Sequence, residues 1–226
     1  MHGKFPAILT DEVVGHEATK LYEDAQRLLK QIVEEQWLQA EAVMGLWDAQ
    51  RLGDDDVSIQ SQTTLYFLRQ QIKKAEGQAN QCLADYIHPH KNDYMGAFAV
   101  TIKGIEPYIK KFEAAHDDYN KIMLQALADR LAEAFAECLH KKVRTQYWAY
   151  APNESLSPEE LITEKYIGIR PAPGYPACPD HTEKITLFKL LNVKEEIGIE
   201  LTESLAMYPA ASVCGWYFAH PASKYF

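Results

Sequence analysis

Cysteine is scarce in this chain. Cys82, Cys138, Cys178 and Cys214 are the only four, and no two of them form a C-x-x-C pair. Their spacings fit no zinc framework, and reduced thiols in a cytoplasmic protein suit them best. No apolar run reaches bilayer-spanning length and no secretory signal pattern occurs, so no membrane association is expected. Cations are outnumbered: 23 lysines and arginines face 32 aspartates and glutamates, a formal net charge of −9. That balance argues against general binding to nucleic acid or anionic membranes, which needs clustered positive charge. G-x-G-x-x-G, Walker, G-x-S-x-G and H-E-x-x-H motifs are all missing, which removes the commonest nucleotide, hydrolase and zinc-protease readings. His88 and His90 flank Pro89 without an evident third ligand, so no metal site is expected. Asp54, Asp55 and Asp56 lack the ligand spacing and closing glutamate of a calcium loop.

What is present suits a globular protein. Hydrophobic residues make up 47% of the 226 and charged residues 24%, enough for both a core and a solvated surface. No repeat and no Gly/Ser-rich linker divides the chain, so residues 1–226 read as a single domain.

Apolar residues at three- and four-residue steps predict a helix over 11–36, with Thr10 or Asp11 as its cap. Short strands are expected at 43–47 and 57–59, joined by a hairpin turn at Gly53-Asp54-Asp55-Asp56. Further strands are expected at 64–68, 81–86 and 94–101, the last nearly all apolar and so buried on both faces. Residues 107–143 carry the longest helical signal, with Met123, Leu127, Leu131, Phe135 and Cys138 or Leu139 as the core stripe. Ser157, Pro158 and the glutamates that follow predict a helix over 158–166, and 182–192 reads as another. Residues 201–219 alternate like strands around Pro209. This order is not regular β-α-β alternation, so an α+β fold with a mainly antiparallel sheet is expected.

Residues 170–184, R-P-A-P-G-Y-P-A-C-P-D-H-T-E-K, cannot form a regular helix or a central strand, because proline fixes φ and lacks the ladder N–H. The result is a stiff loop. Arg170 at its entrance is a permanent planar cation suited to a carboxylate. Gly174 permits positive φ or a close approach to the backbone. On the 107–143 helix, Asp129, Glu133 and Glu137 stand four residues apart as a carboxylate stripe.

The R-P-A-P-G-Y loop resembles the R-x-x-x-G-Y loop of the S-adenosylmethionine-binding reactivation module of cobalamin-dependent methionine synthase. H-D-D-Y-N-K-I-M at 116–123, A-D-R-L-A-E-A-F-A-E at 128–137, Y-A-P-N-E at 150–154, L-T-E-S at 201–204 and G-W-Y-F-A-H-P-x-S-K-Y at 215–225 continue the likeness in the family's order. The resemblance implies one curved α+β domain with a central antiparallel twisted sheet flanked by helices.

It implies that Arg170 meets the ligand carboxylate, and that Ala172, Gly174 and Tyr175 offer largely backbone contacts near the adenosine. Glu133 would help hold the methionine portion, with Tyr225 and Phe226 also at the ligand. Asp129 would belong to the surface that meets the cobalamin module. The implied partners are that module and a flavodoxin or flavoprotein reductase. The implied work is reactivation of the parent methyltransferase by reductive methylation of cob(II)alamin, with the isolated chain inert. Relative to the family the chain is expected to be truncated at both ends. Lys141-Lys142-Val143-Arg144, the one concentrated cationic run, is assigned to the flavoprotein-facing surface. An interaction protein that keeps the fold without the ligand, and an independent methyltransferase, stand as alternatives.

Overall fold

The computed structural model describes residues 5–226. Five strands form the main sheet: β1 (Gln39–Leu52), β2 (Asp56–Ile59), β3 (Thr63–Tyr66), β4 (Asp93–Lys103) and β7 (Ser212–Tyr217). They lie in the order β3-β2-β1-β4-β7, with every pairing antiparallel. Between β4 and β7 come α2 (Glu106–Ala114), α3 (Asp118–Lys142), α4 (Pro158–Ile162), α5 (Glu183–Leu191) and α6 (Val193–Ile197). A two-stranded ribbon of β5 (Glu200–Leu201) and β6 (Met207–Tyr208) follows α6, and α1 (Gly15–Glu34) precedes the sheet. The α+β class with a curled antiparallel sheet flanked by helices is what the sequence led us to expect.

Strand β4 shows why its sequence is apolar throughout. Side chains alternate across a sheet. Met95, Ala97 and Ala99 join the core cluster that contains Leu187, Leu191, Val193 and Ile197 of α5 and α6. Phe98 and Val100 turn the other way, onto Ala136 and Leu139 of α3, and Ile102 packs with Ala128 and Ala132. The sheet is thus sandwiched between α5–α6 and α3.

Several local expectations are corrected. Strand β1 extends well beyond 43–47, because it pairs with β4 from Gln39↔Lys103 to Ala49↔Asp93. Its polar residues ride in that ladder unseen by a hydrophobicity pattern, and Glu41 pairs with Lys103 at 2.5 Å. Residues 81–86 hold no strand but a 3₁₀ turn, Leu83–Tyr86. Its Asp85 carboxylate accepts from the Cys82 N–H at 3.0 Å and binds Arg69 through both terminal nitrogens, at 2.8 and 2.9 Å. These side-chain bonds outweigh the local strand propensity.

The 107–143 signal is two helices, broken at His116 with φ 54°, and Asp117 caps α3 by accepting from Asn120 N–H at 3.0 Å. On α3 Ala128, Ala132 and Ala136 form a fully buried seam, small enough to let the helix approach the sheet, with Leu124 and His140 buried at either end of it. Leu127, Leu131 and Phe135 flank that seam half-buried, and Cys138 is exposed rather than a core residue. Helix α1 starts later than residue 11, since Asp11 accepts from Val13 and Val14 N–H and shapes the preceding turn instead. Helix α4 has the expected Ser157–Glu160 capping box but stops at Ile162, ahead of Glu164 at φ 55°.

Only the first half of the cationic run, Lys141 and Lys142, reaches the surface. After Lys142 the chain enters a π turn, Val143–Tyr147, and both Val143 and Arg144 are fully buried.

Both outer edges of the sheet are partly engaged. On β3, the Tyr66 N–H donates to a carboxylate oxygen of Glu183 at 3.2 Å. Along β7, Trp216 N–H donates to Pro171 O at 2.9 Å, and Ile169 and Phe218 exchange bonds of 3.0 and 3.1 Å.

Candidate functional site

Because the 169–171 segment lies along β7, residue 170 is carried to the side of the sheet that α3 covers. A cleft of about 640 Å³ opens there. Arg170, Ala172 and Tyr175 of the loop, Glu133 of α3, and Tyr225 and Phe226 of the C-terminal segment line it together. Sequence reasoning missed Phe98, Val213 and Glu164, which complete the wall together with Pro171, Pro176 and Ala177 of the loop. Phe98 sits on the α3-facing parity of β4, a clue available only once the sheet faces are known. Glu164 read as part of a longer helix.

Two named residues stand apart. Asp129 lines a smaller neighbouring depression of about 210 Å³ with Arg130 and Ser212, and Glu133 borders both. Gly174 is not in the cleft wall. Its N–H donates to Cys178 O at 2.7 Å, closing the loop on itself. Its φ is +97°, and a Cβ there would lie 2.2 Å from the His181 ring. Gly174→Ala should therefore cost about 1–3 kcal/mol. Thermal unfolding should fall by roughly 2–4 °C per kcal/mol for a chain of this size. An unchanged midpoint would show that the loop relaxes freely. Gly215 has a related role: its bare backbone lets the Pro171 carbonyl come within 2.7 Å of where a Cβ would stand.

The Arg170 side chain is 18% exposed and already held on one side. Its Nη1 donates to Glu137 Oε2 at 2.6 Å and to the Tyr166 hydroxyl at 2.7 Å. Its backbone N–H donates to the Tyr225 hydroxyl at 3.0 Å, which ties the C-terminal aromatic to the loop. Burial raises the Tyr225 phenol above its usual range, against the opposing pull of that bond and of the Arg170 charge.

Behind Arg170 lies a buried polar cluster. Arg144, 0% exposed, grips Glu154 through Nε at 2.7 Å and Nη2 at 2.9 Å. Its Nη2 also reaches Glu137 Oε1 at 3.5 Å, and its guanidinium lies 3.9 Å from the Tyr166 ring centre. His140 sits between the two arginines, fully buried and stacked on Tyr217 at 5.1 Å. Burial first, then the charges of Arg144 and Arg170, hold its pKa well below the ordinary histidine value, so it is neutral.

The arrangement offers a forked cation, two carboxylates and aromatic faces around one apolar cleft. It can select a small molecule carrying both charge signs and a flat ring. Cys178, in the loop, is buried, and that burial pushes its thiol up to about 12. Among the described residues no His/Cys/Asp/Glu cluster could hold a metal, and no helix is long and apolar enough to cross a membrane.

Residues 1–226 match a family model described as vitamin B12 dependent methionine synthase, activation domain. A solved structure described as the crystal structure of the MetH reactivation domain bound to AdoHcy is similar to the chain at 56% sequence identity, with a TM-score of 0.92. The match covers 100% of this chain and 72% of that one.

Proposed function

The chain belongs to the activation-domain family of vitamin B12 dependent methionine synthase, and from that premise we propose that its cleft binds S-adenosylmethionine for reductive reactivation of cobalamin. The observation that carries this reading is the meeting of Arg170, Glu133, Glu164 and Tyr225 around one cavity. The ligand has a carboxylate, an ammonium, a sulfonium and an adenine. Arg170 suits the first, the two glutamates suit the cations, and the aromatic and apolar wall suits the ring. The solved relative, described as bound to AdoHcy, supports the same ligand class.

In this reading the chain's residues bind and orient, and supply no acid, base or nucleophile. The sulfonium would give up its methyl as a cation equivalent and leave as S-adenosylhomocysteine, and the acceptor would be cobalamin, first reduced by one electron and held by the cobalamin module of the parent enzyme. Asp129 is exposed on α3 beside the cleft, and in this reading it belongs to the surface that meets that module. The electron comes from flavodoxin or a flavoprotein reductase. With Val143 and Arg144 buried, only Lys141 and Lys142 of the cationic run remain to face such a partner. The chain alone is catalytically inert and acts as a soluble, cytoplasmic module.

Calorimetric titration of the chain with S-adenosylmethionine at neutral pH tests the reading. Saturable heat is expected. Absence of any heat at millimolar ligand would overturn it and favour an interaction protein that shares only the fold.

A further inference from the structure

We propose that Glu137 is a positioning residue for Arg170, one that leaves a single face of the guanidinium for the ligand carboxylate and is itself set by the Arg144–Glu154 pair. This rests on the ligand reading above. Both hydrogens of Arg170 Nη1 are used: one goes to Glu137 Oε2 at 2.6 Å and the other to the Tyr166 hydroxyl at 2.7 Å. That hydroxyl is 3.3 Å from Glu137 Oε2 and donates to it, so the three groups close a ring. Nε and Nη2 of Arg170 donate to no protein group among the described residues. They form the side-on fork that matches a carboxylate with two parallel bonds. Without Glu137 the side chain could turn about its own axis and present either edge.

Glu137 is fixed in turn from behind. Its other oxygen faces Arg144 Nη2 at 3.5 Å, and Arg144 is locked by the two bonds to Glu154, which is 6% exposed. The cluster is balanced, with two arginines and two glutamates around a neutral His140. Because Glu137 already offsets the Arg170 charge, Arg170 recognises a carboxylate by geometry more than by net charge. Glu133 and Glu164 are then left to favour the cationic end of the ligand.

The test is a calorimetric comparison of S-adenosylmethionine with its decarboxylated analogue, on the native chain, Glu137→Gln, Arg170→Ala and the double variant. Glu137→Gln should lose about tenfold in affinity for S-adenosylmethionine, the size expected for one misplaced charged hydrogen-bonding pair, and less than about twofold for the analogue. In the Arg170→Ala background Glu137→Gln should add nothing.

If Arg170→Ala weakens binding and Glu137→Gln does not, the inference fails and the ligand reading stands. Equal losses for both ligands would make Glu137 merely structural and also overturn the inference. If the native chain binds neither ligand, the reading itself fails; if it binds but Arg170→Ala changes nothing, Arg170 is outside the binding face and the inference fails with it. Should Glu137→Gln not fold, Tyr166→Phe serves in its place. It removes the second partner of Nη1, keeps the ring against Arg144, and should show the same ligand dependence at smaller size.

Discussion

Arg144→Ala should destabilise the chain by about 3–5 kcal/mol, the range for breaking a buried ion pair from one side. At about 2–4 °C per kcal/mol, the unfolding midpoint should fall on the order of 10 °C. Arg144 is 0% exposed and Glu154 6%, and the two bonds between them are 2.7 and 2.9 Å long. Alanine would leave the Glu154 carboxylate in a dry site with no cation, remove the contact with the Tyr166 ring, and deprive Glu137 of one neighbour. The loss should be largely recovered when Glu154 is changed as well, in Arg144→Met with Glu154→Leu, because an apolar pair of similar volume needs no compensation. Thermal and urea unfolding would measure both. A loss under about 1 kcal/mol for Arg144→Ala would mean that water reaches the pair as at an exposed bridge.

Arg170→Ala should act on the ligand more than on the fold. Removal of a forked guanidinium–carboxylate contact is worth about 1.5–3 kcal/mol, a tenfold to hundredfold loss of S-adenosylmethionine affinity in round terms. Stability should suffer less than in Arg144→Ala, because Glu137 retains Arg144 at 3.5 Å and is itself partly open to solvent. Arg170→Lys should fall between alanine and the native residue, since an ammonium supplies charge without the fork. Titration of the three proteins is the measurement, and equal affinities would remove Arg170 from the binding face.

How much of this was legible follows from where each signal lives. The β4 run, the Gly53 hairpin, the Ser157–Glu160 box and α5 are written locally, in turn chemistry and period, and the structure has them. The length of β1 is set by its partner strand, the break at His116 by one capping bond, and the 83–86 turn by Arg69 from another segment. None of these is a property of a window of sequence. Arg144 is the clearest case. Arginine is nearly always exposed unless paired, and the residue that reverses this is Glu154, in a different segment. The cleft residues were named through resemblance to a family. Composition and spacing alone pointed only to the 170 loop and the carboxylate stripe, and neither hinted at Phe98, Glu164 or the part played by Glu137.

The outer edge of β7 has a consequence of its own. A terminal strand normally offers a row of free N–H and C=O groups to any extended chain that drifts past, which is how sheets recruit one another into aggregates. Here the backbone of residues 169–171 fills part of that row, through Ile169 and Pro171. The loop proposed to hold the ligand is also the guard of the sheet. Changes that loosen it should favour self-association through the uncovered edge, and a ligand that held the loop in place should oppose it.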